Sequence, residues 1–356
     1  MAAELFKNSS NRLSLNYEQE ASKFLKLSRP IVDLHSHING EKAARVYKRA
    51  ARAYGVGLTY SMTQLEQAAE VRAALGDSIR FIAIPDFNSG DPLRGHGKEY
   101  IPRIKQYYEL GARIAKFWSA PRLFDSSPDQ FRDHPLRLDS PLRLEAMQAA
   151  ADLGMAFMVH VGDPDTWFAT KYKDSAKYGT KLAQYDPLRV VLERFKIPLI
   201  AAHMGGYPED LDFLSELLAA HSNLYLDCSA TKWMVRELSK HPREEMLSFF
   251  SRWKGRVFFG SDIVTSDAHL NREAKSHEMM RKASSEEEAF DLYASRYWAL
   301  RTLLESDYAG ESPISDPDLN LVDPANFSEL DAPKLLGKSL PLEVLEPLYF
   351  TAARFS

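Results

Sequence analysis

Two histidines set two residues apart, His35 and His37 in the run IVDLHSH, are the first groups in this 356-residue chain whose types and spacing could do chemistry. On an extended strand such a pair points to one face, so the imidazoles lie side by side. Placing both in an apolar strand is costly unless they bind something. Three further groups close apolar runs in the same way: His160 in MVHVGDP, His203 in AAHMGG and Asp262 in FFGSD. A lone histidine in such a place is more often a hydrogen-bonded core residue than a ligand. Four histidines and an aspartate at matching ends of four runs point instead to a metal site. Imidazole nitrogen with carboxylate oxygen suits one divalent ion, zinc first, with manganese, iron or cobalt compatible.

Other polar residues accompany this set. Lys116, in ARIAKFW, shares strand parity with Ile114 and Trp118. Burial would favour its neutral amine, which could take up carbon dioxide as a carbamate. The expectation is an unmodified lysine that binds substrate. Arg122 follows in FWSAPRLF and could clasp a substrate carboxylate as a fork, with Arg94 a weaker second choice. Trp118, Trp167 and Tyr172 are candidates to line a pocket, though aromatics there are as often packing. Asp33 shares the face of the two histidines but lies deeper, and reads as a supporting residue. Asp227 reads as structural.

These residues need a scaffold that brings strand ends together. Eight short apolar runs begin at Ile31, Val56, Arg80, Ala112, Met155, Pro198, Asn223 and Arg256. The spacing between them leaves room for helical crossovers, as parallel strands require. EKAARVYKRAARAYG, LEQAAEVRAALG and SPLRLEAMQAAADLG carry apolar residues at helical spacing and end in Gly, a common helix stop. The fold class predicted is α/β, a (β/α)8 TIM-type barrel, with an open doubly wound sheet as its rival. In a barrel all the C-terminal strand ends converge on one mouth. A single domain is expected over 1–356, with the barrel core at about 31–306. A helical lead (EQEASKFLKL) precedes it, and a long helical segment runs from about Asn271 to Ser306. An irregular loop over 307–335 and a closing helix over 336–356 complete the chain.

Composition narrows the function. Hydrophobic residues make up 45%, charged residues 26%, and the net charge is −4. That leaves no strong basic field for nucleic acid. No apolar stretch is long enough to span a membrane. The start, MAAELFKNSSNRL, lacks the apolar core of a secretory signal, and Cys228 alone can form no internal disulfide. The expectation is a cytoplasmic protein that acts on a small molecule, with a homo-oligomer left open.

The four motifs DLHSH, MVHVGDP, AAHMGG and FFGSD, in this order, resemble the amidohydrolase superfamily, in its amidohydrolase-related branch that also holds metal-dependent decarboxylases. The closing TAARFS resembles that branch's last helix. The resemblance covers roughly residues 31–265 and that helix, and is not specific for a substrate. It implies one metal ion ligated by His35, His37, His160 and Asp262, with His203 nearby to polarise the substrate. The segment from about Asn271 to Leu340 is longer than the branch's usual link. The function expected is hydrolysis of an amide, ester or lactone by metal-activated water. Asp262 would be the base and His203 the partner of the developing oxyanion. The alternatives are decarboxylation of a small unsaturated or aromatic acid, and a barrel that binds a ligand without turnover.

Overall fold

The computed structural model describes residues 9–271 and 282–355; part of the helical segment expected from Asn271 lies outside the described residues. The strands are β1 (Ile31–His37), β2 (Val56–Ser61), β3 (Ile79–Phe81), β4 (Ile114–Trp118), β5 (Ala156–His160), β6 (Leu199–Ala201), β7 (Leu224–Asp227), β8 (Val257–Phe258), β9 (Ile263–Val264), β10 (Ala309–Glu311) and β11 (Lys334–Leu336). Seven of the eight apolar runs contain one of β1 to β8, the run from Arg80 overlaps β3, which starts one residue earlier, and helices follow most of them. Two compact units are present, one within Met1–Ile79 and Cys228–Ala353, the other within Arg80–Asp227 and Arg354–Ser356.

In the first unit β1 pairs in parallel with β2 on one side and β9 on the other. Its helix Glu41–Ala53 buries Ala43, Val46, Tyr47 and Ala50, the helical stripe that the sequence showed. Gly55, next to its end, takes a φ of 74°, the left-handed form in which a helix stops without a Cβ clash. The helix Glu286–Glu305 starts where the Ser285 side chain accepts from the Glu288 amide, with three glutamates in its first turn. Fourteen of its residues are buried, Tyr293 and Tyr297 among them, so it runs through this unit's core.

The second unit is a run of four parallel strands, β4 to β7 in order, extended by a bridge between Ala83 and Ala115. Apart from Lys116 and the polar groups at the strand ends, these strands are apolar on both faces, as expected of parallel strands that are buried. Phe157 on β5 is fully buried, its ring 5.2 Å from those of both Phe117 and Phe195.

Three segments differ from expectation. The helical lead is only Tyr17–Ala21, and the Ser22 hydroxyl bonds back to the Gln19 carbonyl at 2.7 Å and closes it. The segment 307–335 is not wholly irregular: β10 pairs antiparallel with β11, and Asp318–Val322 is helical. Elements this short leave no periodicity to read. The closing helix is Leu342–Phe350 followed by a tighter turn, Thr351–Phe355. No helix among the described residues is long and apolar enough to cross a membrane.

Phe157→Ala should destabilise the protein by about 3–5 kcal/mol, since it leaves a cavity between two rings. Chemical denaturation measures this; a loss well under 1 kcal/mol would mean that the site collapses freely.

Candidate metal centre

The first unit gathers three donor atoms. Asp262 Oδ1 lies 3.2 Å from His37 Nε2 and 3.5 Å from His35 Nε2. The imidazoles come from β1, where i, i+2 spacing sets both on one face, ring centres 5.7 Å apart. Asp262 lies 227 positions from His35 and arrives through backbone pairing. Its amide donates to the His35 carbonyl at 2.7 Å, and the Thr265 amide donates to that of His37 at 3.0 Å. At Asp262 the chain takes a φ of 58°, a left-handed turn that aspartate tolerates better than most residues. Gly260 makes the approach feasible, since a Cβ there would stand 2.9 Å from the Cβ of His35.

This set fits a metal. Donors about 2.1 Å from one ion stand roughly 3–3.5 Å apart at tetrahedral to octahedral angles, which is the spacing found. The three residues are a group able to hold an ion. His35 Nδ1 lies 3.0 Å from the Ser229 hydroxyl, so with Nδ1 protonated its Nε2 presents a lone pair toward Asp262. Asp33, fully buried beneath, accepts four hydrogen bonds: from the amides of His35 (3.1 Å) and Ser261 (3.0 Å), the Ser261 hydroxyl (2.6 Å) and the Tyr297 hydroxyl (2.8 Å). Burial pushes its carboxyl up to about 6 against the pull of those bonds.

The second unit holds the other two histidines. His160, at the end of β5, and His203 pack edge to face with ring centres 4.5 Å apart. His203 was expected to end the sixth strand, but β6 stops at Ala201. His203 and Met204 turn left-handed, with φ of 59° and 53°, and non-glycine backbone of this kind concentrates at functional sites. Asp227, at the end of β7, accepts from the His203 amide at 2.9 Å, so this supporting aspartate sets a candidate histidine's backbone.

Sequence reasoning passed over Asp163. It is buried, 2.9 Å from His160 Nε2, and accepts from the Tyr172 hydroxyl at 2.7 Å. Burial and this carboxylate push the Tyr172 hydroxyl's pKa upward, which keeps it a donor. Lys181 donates to the Asp163 carbonyl at 2.6 Å and pairs with Asp165 at 3.2 Å. The signal was present in HVGDP, where the aspartate falls three residues after the histidine.

The remaining candidates are scattered. Lys116 is buried on β4, and Trp118 is half-buried with its ring 6.4 Å from that of His160. Trp167 is half-buried under the Lys171 ammonium, 3.3 Å from the ring centre. Arg122 is exposed on the turn Pro121–Ser126. Arg94 is exposed and paired with Glu99 at 2.6 Å. The buried arginine near Trp118 is Arg143, which no motif announced. It bonds the Trp118 carbonyl at 2.7 Å and His96 Nδ1 at 2.9 Å. Burial, then the charge of Arg143, holds His96 down at about 3, so that imidazole is neutral.

The amidohydrolase family model matches residues 103–319, more than half of the chain. The chain belongs to the amidohydrolase family, a family of enzymes, and its fold class is the α/β barrel of TIM type. No curated protein matches it. Among solved structures it is similar to 2,6-dihydroxybenzoate decarboxylase from Rhizobium, at 14% identity and a TM-score of 0.43, covering 74% of this chain and 98% of that one. It is also similar to a zinc-bound amidohydrolase from Burkholderia multivorans, at 13% identity and 0.42, covering 82% and 95%. A third is 5-carboxyvanillate decarboxylase from Novosphingobium aromaticivorans complexed with manganese, at 12% and 0.41, covering 76% and 96%. These likenesses are distant.

Replacing both His35 and His37 with Ala should abolish zinc retention and leave the far-ultraviolet circular dichroism unchanged. Elemental analysis after zinc loading and desalting checks this. Equal zinc in the variant and the parent would remove the pair from the site.

Proposed function

We propose that the protein is a metal-dependent hydrolase that opens an amide, ester or lactone of a small molecule. The observation that carries the reading is the His35, His37 and Asp262 cluster, three donors at ion-sharing distance on adjoining strand segments. The family pattern adds His160 as a fourth ligand and His203 as the group beside the substrate. A divalent ion, zinc first, supplies there a water acidified toward neutrality.

The protein's own groups do the rest. Asp262 offers Oδ1 toward the two imidazoles, which leaves Oδ2 to take a proton from the attacking water and return it to the leaving group. His203 donates a hydrogen bond to the oxygen on which charge develops. The left-handed backbone at both residues favours this division of labour, because each side chain leaves the regular strand line. Lys116 and Trp118 on β4, with Arg122 and Trp167 beyond it, are the proposed substrate contacts.

Decarboxylation would need a fixed cation for the departing carboxylate. The two arginines weighed for that role, Arg122 and Arg94, are both exposed, and Arg94 is already paired with Glu99, which favours hydrolysis; the buried Lys116 is the cation left to the alternative. An assay of zinc-loaded protein against lactones, esters, amides and aromatic carboxylic acids decides between them. Hydrolytic turnover is expected. Carbon dioxide release alone, lost in Arg122→Ala, would overturn the reading.

Asp262→Asn separates binding from catalysis. Asparagine also tolerates left-handed backbone and still offers an oxygen to an ion, but it cannot take a proton. The rate should fall about 10²–10⁴-fold, with zinc retained. Near-parental turnover would remove Asp262 from the base role.

A further inference from the structure

Asp33 is a buried carboxylate that the proposed mechanism does not use. Its four hydrogen-bond donors are all neutral, and two of them belong to Ser261, the residue before Asp262. A third is the amide of His35. One carboxylate therefore binds the backbone of β1 at a candidate ligand and the chain segment that delivers another. Ser261 is held from other sides as well. Its amide also reaches the His35 carbonyl at 3.2 Å, and its own carbonyl accepts from the Thr231 hydroxyl at 2.9 Å.

The fourth donor extends the tie into the core. Tyr297 gives its proton to Asp33, so Tyr47, 2.7 Å from the Tyr297 oxygen, must donate to it. Tyr47 then accepts from Thr59 at 2.7 Å. The relay Thr59–Tyr47–Tyr297–Asp33 crosses β2, the helix Glu41–Ala53 and the helix Glu286–Glu305 with its three hydroxyls donating in one direction, and the Ser261 hydroxyl donates to Asp33 from the other side. Its members are all buried. Such a relay is directional, and each bond strengthens its neighbour.

We propose that Asp33 is a positioning residue: with Tyr297 it locks β1 to the Ser261–Asp262 turn and so keeps His35, His37 and Asp262 at ion-sharing distance. This rests on the metal-site reading above. What matters is the bonding pattern rather than the charge. An asparagine could keep its oxygen on the two amides and turn its NH2 toward the two hydroxyls, each of which can accept.

Zinc affinity, measured by chelator competition on folded protein, tests the proposal, with the thermal midpoint of the metal-free protein read in parallel. Asp33→Ala should weaken zinc binding about 10–100-fold, as loss of a ligand-orienting group does. Asp33→Asn should stay within a few fold of the parent, and Tyr297→Phe should fall between the two. Tyr349→Phe removes the hydroxyl of an equally buried tyrosine, which bonds Glu305 rather than Asp33, and should lower the midpoint without touching zinc affinity. Parental zinc affinity in folded Asp33→Ala would overturn the proposal while leaving the metal site standing. Equal losses in the Asn and Ala variants would also overturn it. If Asp33→Ala does not fold, unchanged zinc affinity in Tyr297→Phe overturns it instead. A parent protein that binds no zinc would sink the metal-site reading first, and the positioning role with it.

Discussion

A carboxylate oxygen held 3.2 and 3.5 Å from two imidazole nitrogens is the contact on which the rest depends. Asp262 reaches that place only because its backbone turns left-handed between β8 and β9. Such a turn is strained for most residues and persists only where the surroundings over-determine it. Here they do: Gly260 admits the close approach to β1, while Ser261 is bonded by Asp33, His35 and Thr231. The turn is thus held by a buried polar network in which both oxygens of Asp33 and the hydroxyl of Ser261 are hydrogen-bonded. An unsatisfied member of such a network would be more harmful than an apolar core.

The second unit solves the same problem with different groups. His203 also takes left-handed backbone, and the carboxylate of Asp227 holds its amide. Asp163 does for the His160 ring what Ser229 does for that of His35: it engages one nitrogen and so fixes the direction in which the ring points. Orienting partners of this kind raise ligand basicity and fix ring direction. They also explain why buried aspartates lie so close to the candidate histidines, where an unpaired carboxylate would be costly.

The scaffold was largely legible in the sequence, because parallel strands covered on both faces read as apolar β-branched runs and the glycines after helices mark their stops. The candidate ligands were legible for a related reason, since a polar side chain in such a run stands out. The left-handed turns at His203 and Asp262 were not, because nothing in the local pattern distinguishes them from a strand's last residues. Asp163 was hidden by its loop position, where an aspartate needs no explanation. Arg143 was hidden by helical placement, where an arginine reads as solvated, yet it is fully buried on the Trp118 carbonyl. Arg122 showed the reverse, a loop arginine promising on the page and exposed in the fold. The Asp33 relay joins residues up to 264 positions apart, a distance at which periodicity says nothing.

The central claim is that His35, His37 and Asp262 share one metal ion. Anomalous scattering from crystals of the zinc-loaded protein, collected at the zinc edge, tests it most directly. A single strong peak about 2.1 Å from His35 Nε2, His37 Nε2 and an Asp262 carboxylate oxygen is the result predicted. A zinc peak elsewhere on the protein, with these three side chains contacting only one another, would contradict it.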